Sequence, residues 1–263
     1  MIASILAFLF GLLIGSFLNV CIYRWPRDLS VVRPRSHCPS CEKPIAWYDN
    51  IPLVSFALLG GRCRACGARI PARYPVVEAV TGLLFFYFVW TLGPTPAAAK
   101  MCVFAAALVG LIFSDLEERI LPDELTLGGT LAGLAFALAV PMPDDGVRWL
   151  LGLKGVVDSL VGSALGAILP AACLWAAGWL YQKVRHREGL GFGDVKLVAM
   201  AGSFLGLRGA LLTVLWGSIA GSVLGYAYIR ATGKDSASYE LPFGTFLGAA
   251  ALIVGMAAPQ LLP

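Results

Sequence analysis

Two chemistries can be read from residue type and spacing alone in this chain of 263 residues. The first is metal binding. Cys38-Pro-Ser-Cys41 and Cys63-Arg-Ala-Cys66 form two CxxC knuckles with 21 residues between them. Together they offer four thiolates, the donor set of a closed tetrahedral zinc site. Four protein ligands leave no open position for water, so such a site is structural rather than catalytic. His37 adjoins the first knuckle, but Cys38, Cys41, Cys63 and Cys66 already complete the set. The competing reading is a pair of disulfides, which needs an oxidising compartment. Cys21, Cys102 and Cys173 fall in or beside apolar runs and read as small packing residues.

The second chemistry is found by elimination. His37 and His186 are the only histidines, and the chain contains no HExxH, no GxSxG and no Walker loop. What remains is carboxylates at the ends of apolar runs, where ionisable groups are costly and therefore functional candidates. Asp115 closes one run, and Asp194 opens another directly after Gly191-Phe-Gly193. Two carboxyl groups that share a proton can split the work of peptide hydrolysis. The ionised one activates water and the protonated one polarises the carbonyl. Gly191 and Gly193 allow close backbone approach beside Asp194, where an extended peptide could lie. Plainer readings stand beside these. Asp194 could be a helix N-cap, and Asp115 an interfacial acid paired with Arg119 one turn on.

The elements that must carry these residues are membrane helices. Hydrophobic residues make up 58% of the chain and charged residues 14%, with a mean hydropathy of +0.77. A soluble domain carries roughly 25% charged residues, and a soluble chain of this composition would expose large apolar patches. The net charge of +4 is too small to suggest nucleic acid. A helical span needs about 20 apolar residues. Apolar runs at 2–23, 76–93, 97–114, 124–140, 155–181, 194–207, 209–229 and 242–262 give eight expected spans, the sixth and seventh divided near Arg208. No basic segment precedes the first run, so it reads as a retained span rather than a signal peptide. With eight spans, sixteen of the twenty Lys and Arg fall on one side. Nine lie in 24–75, and Arg119, Lys183, Arg185, Arg187, Lys196, Arg230 and Lys234 join them. Lys100, Arg148, Lys154 and Arg208 fall opposite, with the acidic tip 141–146. The positive-inside rule then puts the N-terminus outside and the cysteine insert in the reducing cytosol, where thiols stay free for metal. The expected fold is an all-α polytopic membrane protein of about eight transmembrane helices with a small cytosolic four-cysteine zinc-binding insert. Its expected divisions are a first helix at 1–23, the insert at 24–75 and a membrane domain at 76–263.

An ordered set of segments resembles the type IV prepilin peptidase family over nearly the whole chain. Gly15-Ser-Phe-Leu-Asn-Val-Cys-Ile-Tyr-Arg-Trp-Pro26 leads, followed by the two knuckles with Asp49–Ser55 and Gly60-Gly-Arg62 between them. Arg73-Tyr-Pro-Val-Val-Glu78, the stretch Asp115–Asp123, the GxGD box Gly191–Asp194 and Leu241-Pro-Phe-Gly244 complete it. The resemblance implies leader cleavage of prepilins or pseudopilins at the inner membrane by Asp115 and Asp194, with Asp123 as the runner-up for the first aspartate. It also implies kinship with presenilin-like GxGD proteases, and methyl transfer from S-adenosylmethionine to the new N-terminus. No GxGxxG marks a cofactor pocket. Gly60 and Gly61 in the insert are the candidates to hold S-adenosylmethionine, and Glu78 the candidate to hold the substrate amine. A knuckle turn for Gly61 and an ion pair with Arg73 for Glu78 remain open. The rival classes are a transporter or channel with a cytosolic zinc module and a purely structural membrane scaffold. Neither the particular pilins nor the oligomeric state is legible.

Overall fold

The computed structural model describes residues 1–142, 152–186, 189–232 and 241–257. Arg148, Arg187, Lys234, most of the acidic tip and the end of the last expected span lie outside the described residues. Every regular element among those described is helical, and the only pairing of extended backbone is two isolated bridges, His37 with Pro44 and Arg62 with Arg69. Long, almost uniformly apolar segments leave no period-2 pattern for strands, and a helix satisfies its own backbone groups in lipid. The chain forms two compact units, Met1–Phe113 and Ser114–Pro263.

In the first unit, helix α1 (Ile2–Arg24) packs along helix α3 (Arg73–Leu92). Glycines set this contact. A methyl on Gly11 would sit 2.8 Å from Gly82 Cα, and one on Gly15 would sit 2.7 Å from Glu78 Cα. Small residues four apart let two membrane helices approach closely enough for dispersion to hold them. Asn19 pins the pair by donating from its side-chain amide to the Tyr74 carbonyl at 3.0 Å. Between α1 and α3 lies the insert, with the short helix α2 (Val54–Leu58). Buried Arg24 organises its start by donating to the carbonyls of Ser30 and Pro34, both at 2.8 Å.

Helix α4 (Pro96–Glu118) runs from the first unit into the second. The second unit then contains α5 (Asp123–Phe136), α6 (Gly155–Arg185), α7 (Phe192–Thr232) and α8 (Phe243–Ala257). Helix α7 is its hub and packs against α5, α6 and α8. Gly166 of α6 meets Gly202 and Gly206 of α7 backbone to backbone, and Ser163 Oγ donates to the Ser203 carbonyl at 2.7 Å.

Among the described residues each of the eight expected spans falls largely on helix, but the lengths differ from the expectation. Among the described residues five helices are long and apolar enough to cross a membrane: α1, α3, α4, α6 and α7. Helices α5 and α8 have 14 and 15 described residues, short of the usual span. The expected sixth and seventh spans are a single run of 41 residues, interrupted at Gly206 (φ 75, ψ −177) rather than at Arg208. A straight helix of that length would reach about 60 Å, twice the hydrocarbon thickness. The break falls at a residue with no Cβ to forbid a positive φ.

Candidate active site and metal centre

Asp115 and Asp194 are both buried and both belong to the second unit. Asp115 sits on the last turn of α4, just before the chain reverses through Arg119 in a left-handed conformation (φ 58). Ser114 Oγ closes that reversal by donating to the Ile120 carbonyl at 2.8 Å, and Pro122 starts α5. Asp194 lies in the first turn of α7, and its carboxylate accepts from the Gly191 N–H. As the third residue of the helix it reaches back to the residue before the helix start, the reverse of the N-cap role left open by the sequence, while remaining close enough to Asp115 to sense its charge.

Leu121 is the wedge between the surrounding segments. A methyl on Gly193 would sit 3.1 Å from Leu121 Cβ, and one on Gly244 would sit 2.9 Å from Leu121 Cδ1 and 3.2 Å from Asp115 Cγ. The two glycines let the GxGD turn and the start of α8 close on the same leucine. Thr245, the next residue, donates to Asp115 Oδ2 from its backbone N–H at 2.6 Å and from its hydroxyl at 2.8 Å. The Arg119 charge also acts on Asp115. Asp123 is placed differently. Its exposed carboxylate pairs with Lys196 Nζ at 2.6 Å on the outside of the unit.

In the first unit the four knuckle thiols converge. The Sγ atoms of Cys38, Cys41, Cys63 and Cys66 all lie within 4.8 Å of one another, and Cys38 and Cys66 are 3.8 Å apart. A tetrahedral zinc with bonds of about 2.3 Å has S–S edges of about 3.8 Å. The donor chemistry and spacing therefore fit a metal ion. The two knuckles are built alike. Cys38 N–H bonds the Lys43 carbonyl and Glu42 N–H returns to the Cys38 carbonyl; Cys63 bonds Ala68 and Gly67 returns to Cys63 in the same way. Both returning residues are left-handed, Glu42 at φ 57 and Gly67 at φ 72. Backbone N–H groups of Cys66 and Ala65 point at Cys63 and pull its thiol down to about 7. From within the second knuckle, Arg64 forks onto both oxygens of Asp49 at 2.7–3.1 Å and holds that carboxyl below its ordinary range.

Gly60 and Gly61 end α2. The Gly61 N–H bonds the Phe56 carbonyl and the Gly60 N–H bonds that of Ala57, a Schellman stop with both glycines left-handed. A side chain at Gly61 would press on the Phe56 ring at 3.0 Å, whereas Gly60 faces open space. Glu78, buried on the first turns of α3, accepts from the Leu53 N–H at 2.8 Å and bonds the Ser16 hydroxyl. Leu53 itself has φ 59, so this carboxylate holds the insert at a strained residue.

Residues 9–92 match the Bacterial Peptidase A24 N-terminal domain, and residues 102–226 match the Type IV leader peptidase family. The chain is 45% identical over 231 residues to a protein of Myxococcus xanthus named Prepilin leader peptidase/N-methyltransferase, covering 88% of this chain and 64% of that one. Proteins of the same name from Aeromonas hydrophila and Xanthomonas campestris are 35% and 36% identical, each covered over 88% of its length by more than nine-tenths of this chain. The chain belongs to the type IV leader peptidase family. No solved structure matches it.

The family resemblance in the sequence ran through Gly244 and stopped one residue short of Thr245, the residue that touches Asp115. Leu121 was visible only as an apolar residue between two acids. The one available signal for both was their adjacency to glycines or prolines of the motif set, Gly244 and Pro122.

Proposed function

We propose that this chain cleaves the leader from type IV prepilins or pseudopilins with Asp115 and Asp194, and then methylates the new N-terminal amine. The observation that supports it best is the burial of these two carboxyl groups in one unit, near enough for the charge of Asp115 to act on Asp194, within the residues matched by the leader peptidase family. One carboxylate takes a proton from water, and the oxygen attacks the scissile carbonyl while the other carboxyl donates to the carbonyl oxygen. The resulting gem-diol collapses when the amide nitrogen takes a proton from the dyad. The C–N bond breaks, leaving a leader carboxylate and a free amine, and no covalent enzyme intermediate forms. Asp123 is the alternative first aspartate, but its exposed ion pair with Lys196 commits it elsewhere.

The protein is a multi-pass membrane protein of the inner membrane, with N-terminus outside and the insert and cleavage site on the cytosolic side. The sixteen-to-four distribution of Lys and Arg supports this orientation. Residues 1–23 form the first span, 24–75 the metal-binding and methyl-transfer region, and 76–263 the peptidase domain. Cys38, Cys41, Cys63 and Cys66 would hold zinc, which would cross-link the two knuckles. S-adenosylmethionine would supply an electrophilic methyl group. The open turn at Gly60, the adjacent Gly61 and the buried carboxylate of Glu78 are the residues here that suit such a cofactor and a cationic amine. A transporter or channel is not favoured, because the relatives carry peptidase names. Detergent-solubilised protein incubated with a prepilin should release the leader, and added S-adenosylmethionine should make the mature product heavier by one methyl group. Intact prepilin after prolonged incubation with well-folded protein would refute the reading.

A further inference from the structure

We propose that Thr245 is a positioning residue that holds Asp115 as the water-activating member of the dyad and leaves Asp194 as the member that carries the shared proton. The proposal rests on the dyad reading above and adds the division of labour within it.

The asymmetry is in the hydrogen bonds. Asp115 Oδ2 receives two donors from one residue, the Thr245 N–H at 2.6 Å and the Thr245 hydroxyl at 2.8 Å. A backbone N–H can only donate, so Oδ2 accepts that bond, and two donors on one carboxylate oxygen favour the ionised form of Asp115. Thr245 is the third residue of α8, so its N–H is among the helix-start donors that have no partner inside the helix. Asp115 therefore faces a helix N-terminus, a backbone N–H, a hydroxyl and the charge of Arg119. The structure gives Asp194 the Gly191 N–H and the negative charge of Asp115. Of two carboxyl groups sharing one proton, the one with more donors and a cation nearby keeps the negative charge. The arrangement also fixes the Asp115 rotamer, because two bonds to one oxygen from one residue permit little rotation. Gly244 makes the approach possible, since a Cβ there would crowd Asp115 and Leu121 together.

The hydroxyl can be tested apart from the helix. Thr245→Val keeps the side-chain shape and the backbone bond and removes only the O–H donor. Thr245→Ser keeps the donor and removes the methyl. Prepilin cleavage in detergent should fall about 10- to 100-fold in kcat for the valine variant, with KM nearly unchanged, as for loss of one charge-assisted hydrogen bond. The serine variant should recover to within a few-fold of wild type. Thermal unfolding and methyl transfer to a pre-cleaved pilin peptide report folding. If the valine variant is unstable, Thr245→Ala against Thr245→Ser decides by the same contrast. Wild-type kcat in a folded valine or alanine variant overturns the proposal, and so does a serine variant as slow as valine. Asp115→Asn and Asp194→Asn run in parallel. If both of these still cut, the dyad reading itself falls; if both are inactive and the valine variant is normal, only the role of Thr245 does.

Discussion

A carboxylate in the interior of a membrane protein is expensive to ionise, and two adjacent ones cannot both ionise freely. That cost is tolerated where donors are provided for one of them, and Thr245 provides two for Asp115. Amide replacement is nearly isosteric, so Asp115→Asn and Asp194→Asn should each fold and insert yet lose leader cleavage by about 10³-fold or more. The double variant should be scarcely worse than either single one, because residues acting as a unit are lost together. Wild-type cleavage should show a bell-shaped pH profile, since one carboxyl must be ionised and one protonated. Asp123→Asn should retain cleavage within a few-fold, because it breaks only the exposed pair with Lys196. Full activity of Asp115→Asn together with an inactive Asp123→Asn would reverse the assignment. The two aspartates were legible as acids at the ends of apolar runs. Their partner was not, because Thr245 lies 130 residues further along the chain and no local pattern connects the two.

At the scale of the element, the cysteine knuckles were the most legible feature. CxxC spacing constrains a tight turn almost completely, and both turns are built with the same two backbone bonds. Their difference gives a prediction. The left-handed position is glutamate in the first knuckle and glycine in the second. Glu42→Gly should keep about one zinc per chain and resist chelator at least as well as wild type, because glycine adopts that backbone conformation without steric cost. Gly67→Val should lose zinc to chelator sooner, because a β-branched residue is strained there. Elemental analysis and proteolysis of the insert would check both, and equal zinc retention in the two variants would count against a metal held by this turn geometry. The helices were legible from composition, but their ends less so. Arg208 looked like a boundary because charge ends apolar runs, whereas the chain breaks at Gly206, where φ 75 is possible and Gly166 lies against the backbone. Close approach of two helices is a pairwise property, and a single glycine in a sequence does not reveal its partner.

At the scale of the whole molecule, the two units hold different candidate chemistry. The first unit contains the cysteine centre and the glycine-packed pair α1 and α3; the second contains both aspartates. The orientation proposed from charge placement gives a direct test. In intact spheroplasts, Cys66 should resist a membrane-impermeant thiol reagent and become reactive only after the membrane is opened and zinc removed. A reporter fused at the N-terminus should be active only in its periplasmic form. Labelling of Cys66 from outside would invert the topology.

The bonds between Thr245 and Asp115 join residues 130 positions apart. Seen as an order of events, this means the site cannot exist while most of the chain is being made. At about 5–20 residues per second of synthesis, roughly 6–26 s separate the emergence of Asp115 from that of its donors. Throughout that interval α4 carries a carboxylate without its Thr245 cap, and the nascent protein has a cysteine centre but no completed dyad. On the proposed assignment of the dyad and of Thr245, proteolytic competence is acquired last, when α8 is added, so the half-made enzyme is kept from cutting by the order of its own sequence.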